Sequence, residues 1–115
     1  MVEFVESEEL SNILKAVSDP TRRSILTILV QEGPTRVTDL AAHYAMSLNA
    51  VSKHIKALER VGLVRRTTLG RTHLIEANME PVSTIDRWFR ELRSTWEIRL
   101  EALETLLTQK EDSDG

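Results

Sequence analysis

Between Val37 and Thr72 the chain places residue types at spacings that suit contact with a nucleic-acid duplex. Leu48, Val51, Ile55 and Leu58 recur on one helical face, so the helix that carries them is expected to bury that stripe. Its opposite face then holds Asn49, Lys53, Lys56 and Arg60, with Ser52 on one flank. Amide, hydroxyl and ammonium groups on one exposed face can pair with base edges and neutralise phosphates. Downstream, Leu63 to Thr67 and Thr72 to Ala77 are β-branched or aliphatic runs around Thr68-Leu69-Gly70-Arg71, which predicts a hairpin with a basic tip.

These groups need a helix-turn-helix to present them. Two helices that cross closely require a small residue in the first, a tight turn, and a branched apolar residue in the second; Ala41, Ala45 and Val51 supply them. The first helix of the pair is expected over Val37 to Tyr44, with Leu40 and Ala41 inward, and Ala45 to Ser47 form the turn. Ala45 is then expected in a left-handed conformation, at a cost on the order of 1 kcal/mol relative to glycine. Ser47 caps the second helix and Gly62 ends it with the left-handed conformation that suits glycine.

The flanking elements are helical. Glu6 to Val17 predicts an amphipathic helix with an exposed apolar stripe of Leu10, Ile13, Leu14 and Val17. Asp19 suits an N-cap and Pro20 the first helical position of the next helix, whose Ile25, Leu26, Ile28 and Leu29 are apolar and which Gly33-Pro34 stops. After Pro81, the residues Ile85, Phe89, Leu92, Trp96, Leu100, Leu103 and Leu107 follow a spacing close to a coiled-coil seam. Trp88 lies off that seam; both tryptophans read as core or subunit interface rather than as a ligand cage. The fold class is mainly α with a small β-hairpin, a single domain over residues 1–115 with a disordered, polar tail from about 109 to 115.

Composition bounds the function. The chain has 115 residues, 41% of them hydrophobic, and a net charge of −3. The charge is unevenly spread: Ser47 to His73 carries Lys53, Lys56, Arg60, Arg65, Arg66 and Arg71 against Glu59 alone, a net +5, and the remainder carries −8. Screening makes only local charge effective, so an acidic chain with one basic face can meet DNA. The absence of cysteine excludes disulfides and thiolate ligands and fits a reducing compartment. No apolar run approaches the about 18 residues of a membrane span, and Met1 to Glu9 is acidic where a secretory leader is basic, so a cytoplasmic protein with no membrane partner is expected. No nucleophile, base and orienting group form a set and no Gly-rich phosphate loop exists, so the chain does not read as an enzyme and calls for no cofactor.

The sequence resembles the ArsR/SmtB group of winged-helix bacterial repressors. The resemblance runs from about Leu14 to Leu107 and rests on Ser18-Asp19-Pro20-Thr21-Arg22-Arg23-x-Ile25-Leu26, Asp39-Leu40-Ala41, Met46-Ser47-x-x-Ala50-Val51-Ser52-Lys53-His54-Ile55-Lys56-x-Leu58, Gly62-Leu63-Val64 and Gly70-Arg71. It implies a winged helix-turn-helix that binds an inverted-repeat, double-stranded DNA operator as a homodimer through its first and last helices. The interface would use Leu10, Ile13 and Leu14 with Ile85, Phe89, Leu92, Trp96, Leu100, Leu103 and Leu107. The resemblance places base reading on Leu48, Asn49, Ser52 and Lys53 after Ser47. Leu48 is a departure from a position where glutamine is common. Asn49 suits adenine, Lys53 guanine, and Ala50 a thymine methyl. Lys56, Arg65, Arg66, Arg71 and Thr72 suit phosphates.

Many members of that group release DNA on binding metal. Where one class carries Cys-x-Cys this chain has Arg36 and Thr38, and its last helix has Asp86, Glu91 and Glu97 but no histidine. The three histidines, His43, His54 and His73, fall on different elements, so no metal site is expected and an unidentified small-molecule effector is left open. His54, at the margin of the buried stripe, suits packing or hydrogen bonding as well as DNA contact; Arg22 and Arg23 suit local ion pairs. A winged helix that binds protein instead of DNA is the alternative reading.

Overall fold

The structure is a computed structural model that describes the backbone of residues 2–114 and the side chains of residues 8–110. It forms two units, Met1–Ile85 and Asp86–Gly115. In the first, α1 (Val2–Ala16), α2 (Pro20–Glu32), α3 (Val37–Ala41) and α4 (Leu48–Arg60) combine with a sheet of β1 (Thr35–Arg36), β2 (Val64–Leu69) and β3 (Thr72–Ala77); α5 (Val82–Asp114) starts there and makes up the second.

Ile13, Ile25, Leu29, Leu40, Val51, Ile55, Leu58, Leu63 and Ile75 fill one core to which every element of the first unit except β1 and α5 contributes a fully buried side chain or its neighbour. This corrects the expectation for α1. Its apolar stripe is not left open: Leu10, Ile13 and Ala16 are buried within the chain, with Leu14 half-buried. Ile85, expected on a subunit seam, likewise packs against this core.

The α1–α2 corner is held by the Ser18-to-Arg23 motif. Asp19 accepts the Arg22 amide at 3.0 Å as the α2 N-cap, ahead of Pro20. Among the described residues Arg22 and Arg23 make no ion pair. Arg22 Nε donates to the Ala16 carbonyl at 2.6 Å and Nη2 to that of Lys15 at 3.2 Å, and Arg23 Nη1 donates to Val17 at 2.7 Å. The two guanidinium groups thus bond carbonyls at and just past the end of α1, with the Ser18 amide and hydroxyl also donating to that of Lys15.

The helix-turn-helix differs from expectation at its turn. Helix α3 ends at Ala41, and bonds from His43 to Leu40 and from Tyr44 to Ala41 spread the reversal over several residues. Among the described residues no non-glycine has positive φ, so Ala45 carries no left-handed strain. The Tyr44 hydroxyl, 2.8 Å from Ser24 Oγ, pins this turn to α2.

Ser47 caps α4 by accepting the Ala50 amide at 3.1 Å. Past its end, Gly62 (φ 78°) allows Leu63 N–H to reach back to Leu58 O and Gly62 N–H to Glu59 O, the pairing of a Schellman cap. The end of β3 joins the same corner: Asn78 Nδ2 donates to Gly62 O at 2.9 Å and its amide to Leu63 O at 2.8 Å.

The sheet order is β1-β3-β2, all antiparallel. The hairpin is longer than expected because Gly70, at φ 63°, makes a two-residue turn with Arg71; Thr68 and Leu69 belong to the ladder, opposite His73 and Thr72. Strand β1 was not anticipated. The tail differs too: α5 continues through Asp114 instead of ending at Thr108, since residues 109–114 contain no Gly or Pro to break the ladder. Gly115 lies outside the described residues.

Candidate nucleic-acid interface

Helix α4 turns its sequence pattern into two faces, with one change. Val51, Ile55 and Leu58 are fully buried, but Leu48 is 50% exposed, because in the first turn of α4 it lies beyond the reach of the core. The buried stripe therefore begins at Val51. Asn49, Lys53 and Lys56 are exposed, Ser52 and Ala50 half-buried, and Ser47 is exposed beside the helix N-terminus. That end directs free N–H groups and a positive partial charge outward, which favours an approaching phosphate.

The strand alternation separates residues that the sequence sets side by side. Register pairs Val64 with Ala77, Arg66 with Ile75 and Thr68 with His73 on one face, and Arg65 with Glu76 and Leu69 with Thr72 on the other. Arg66 thus turns toward α4, where Nη2 meets Glu59 Oε1 at 3.0 Å in a half-buried pair. Arg65 stays exposed, 3.8 Å from an exposed Glu80 carboxylate, a contact worth little in water. Arg71 is exposed at the turn and Thr72 is half-buried beside it. Of the expected phosphate contacts, then, Lys56, Arg65 and Arg71 are presented outward, and Arg66 is instead a brace between hairpin and helix.

A cleft of about 430 Å³ separates α4 from the start of α3 and the hairpin, lined by Val37, Thr38, Leu48, Asn49, Ser52, Lys56, Glu59, Arg66 and His73. Thr38 and His73 were not anticipated there. Alternation back from the buried Ile75 puts His73 on the α4 side, where its Nδ1 lies 3.2 Å from Thr68 Oγ1.

His54 faces away from this surface. Its Nδ1 is 3.9 Å from Asp19 Oδ2, and both side chains are half-buried. Asp19 is held below the ordinary carboxylate range, first by the Arg22 amide and then by the nearby His54 charge. Arg36, at one position of the Cys-x-Cys pattern, makes a bidentate pair with Asp39 at 2.7 and 3.1 Å, and its pKa is raised by that hydrogen bond.

In α5, Phe89, Leu92, Trp96, Leu100, Leu103 and Leu107 are all exposed, as are Ile98 and Leu106 beyond the expected seam. The Trp88 and Phe89 rings are tilted against each other, with centroids 4.8 Å apart and a 54° angle between the rings, and neither tryptophan is buried. No described helix is long and apolar enough to cross a membrane.

A helix-turn-helix domain model matches residues 17–67, the span from the α1–α2 corner into β2. The chain is 36% identical to the arsenical resistance operon repressor of Staphylococcus xylosus over 70% of its own length and 76% of that protein. It is also 36% identical to a crystal structure of an ArsR family transcriptional regulator, at a TM-score of 0.75 over 79% of this chain and 93% of that one. The chain belongs to the ArsR family of transcriptional regulators. A solved homodimeric winged helix-turn-helix DNA-binding domain from Mycobacterium bovis, 24% identical, shares the fold at a TM-score of 0.60 over 76% of this chain and 80% of that one. Within this family fold α3 and α4 are the helix-turn-helix and β2–β3 is the wing.

Proposed function

We propose that this ArsR-family protein is a cytoplasmic, non-catalytic repressor that binds an inverted-repeat operator as a homodimer, with α4 in the major groove and the wing on flanking backbone. The observation that carries this reading is the polar face of α4: Asn49, Lys53 and Lys56 are exposed and, among the described residues, in no ion pair, while the same helix buries Val51, Ile55 and Leu58. Asn49 and Lys53 read bases, with Ser47, Ala50 and Ser52 beside them; Lys56, Arg65, Arg71 and Thr72 position the helix on phosphates.

Dimerisation rests on the exposed apolar residues of α5, which carry the seam without help from Leu10, Ile13 or Ile85. The Mycobacterium bovis domain of the same fold is homodimeric, which supports a paired arrangement here. A twofold pair then meets successive major grooves about one helical turn apart.

Selection of bound duplexes from a random pool by the purified protein tests the reading. A palindromic consensus is expected. Enrichment of nothing, together with binding that does not respond to salt, would favour a protein-interaction module on the same scaffold.

A further inference from the structure

The polar face of α4 contains one residue that its neighbours do not explain. Leu48 sits in the first turn, between the Ser47 cap and the exposed amide of Asn49, with half of its surface exposed. The core stripe is complete without it, since Val51, Ile55 and Leu58 are fully buried. The cleft beside it is lined by Val37 together with Thr38, Asn49, Ser52 and His73. An isobutyl group can neither donate nor accept a hydrogen bond. Its position, however, is where a recognition helix brings side chains to base edges.

We propose that Leu48 is a specificity-determining residue that reads the C5-methyl of a thymine in each operator half-site. The proposal rests on α4 being the groove-reading helix. In the major groove every base-edge feature is a hydrogen-bond donor or acceptor except that methyl, so it is the one feature an apolar side chain can cover without stripping a polar edge of water. Cytosine at the same step has only a hydrogen at C5, so Leu48 loses the methyl contact there, while O4 of thymine and N4 of cytosine are equally beyond its reach to pair. The neighbouring Asn49 is exposed and retains the polar readout at the adjoining step, while Ala50 is half-buried.

Deoxyuridine differs from thymidine only in lacking this methyl, which makes the test independent of any effect of mutation on folding. With the selected operator in hand, each thymine is replaced in turn by deoxyuridine and affinity is measured for the wild-type chain and for Leu48→Ala. One thymine per half-site is expected whose replacement weakens wild-type binding about fourfold, the worth of one buried methyl-sized group. The same replacement should leave Leu48→Ala unchanged. 5-Methylcytosine at that step should bind wild type better than cytosine does. A loss of equal size in Leu48→Ala assigns the methyl to another residue and overturns the proposal. So does an operator in which every thymine tolerates deoxyuridine, and either result leaves operator binding itself standing. A chain that selects no duplex removes the proposed function and the Leu48 assignment with it.

Discussion

Helices α4 and α5 both mix apolar and charged residues at helical spacing, yet they resolve that mixture in opposite ways. In α4 the apolar stripe closes on the chain's own core and the cations stay outside. In α5 the apolar residues remain open, with Trp96 61% and Leu103 54% exposed. Amphipathicity therefore states that a face will be covered without stating by what. Helix α4 is finished by its own chain, and its remaining face is free for a ligand. Helix α5 still lacks its cover, and its length of 33 residues supplies more apolar surface than a solvent-exposed helix ordinarily leaves open.

The contrast can be broken most forcefully at Ile55. Ile55→Ala should cost about 2 to 5 kcal/mol in chemical denaturation, because a fully buried side chain leaves a cavity. A loss below 1 kcal/mol would mean that α4 is not finished by this core. Trp96→Ala should instead cost about 2 kcal/mol or more in self-association, as a central aromatic anchor does, and light scattering should show the shift toward monomer. An unchanged mass distribution at micromolar concentration would leave α5 covered by something other than a second copy.

On the free face of α4, Lys53→Ala should cost about 1 to 3 kcal/mol on the operator and relax discrimination at one base pair. Arg71→Ala, at the wing tip, should weaken operator and random duplexes alike and lower the salt slope by about 1. Equal behaviour of the two variants on both duplexes would erase the division between base reading and positioning. The smallest effect is expected at Glu59. Glu59→Gln removes the one acidic side chain of this stretch and releases Arg66, so binding to any duplex should tighten, with a salt slope steeper by about 1. A weakened or salt-insensitive response would mean that the brace, not the charge, dominates at that site.

Local signals in the sequence proved legible where the physics is local. Asp19-Pro20, Ser47, Gly33 and Gly62 mark helix ends through bonds to residues a turn away, and each does so in the structure. The Val51, Ile55, Leu58 stripe is likewise a property of one helix. What could not be read depends on partners distant along the chain. Strand β1 has two residues and exists because β3 offers it an edge. Arg66 adjoins Arg65 in a basic run, but the pleat sends it to Glu59. Arg22 and Arg23 look like candidates for ion pairs, yet backbone carbonyls of α1 come within reach first. A left-handed Ala45 would be strained, but the bonds after Leu40 spread the bend over residues that keep negative φ. For the candidate site, the outward face of α4 and the wing tip were legible, whereas the membership of Thr38 and His73 depended on how the wing folds back.

The corner at Gly62 and Asn78 fixes one more property. Helix α4 leaves through the Schellman cap made by the Gly62 and Leu63 amides, and Asn78, just past the return strand of the wing, donates to the carbonyls of the same two residues, while Arg66 and Glu59 tie the strands to the helix farther along. Under the proposed binding mode the groove-reading and backbone-gripping parts are thus jaws of one caliper joined by these bonds. A half-site lengthened by a base pair between its core and its flank then has to be accommodated by the DNA, because within one subunit the gauge is set.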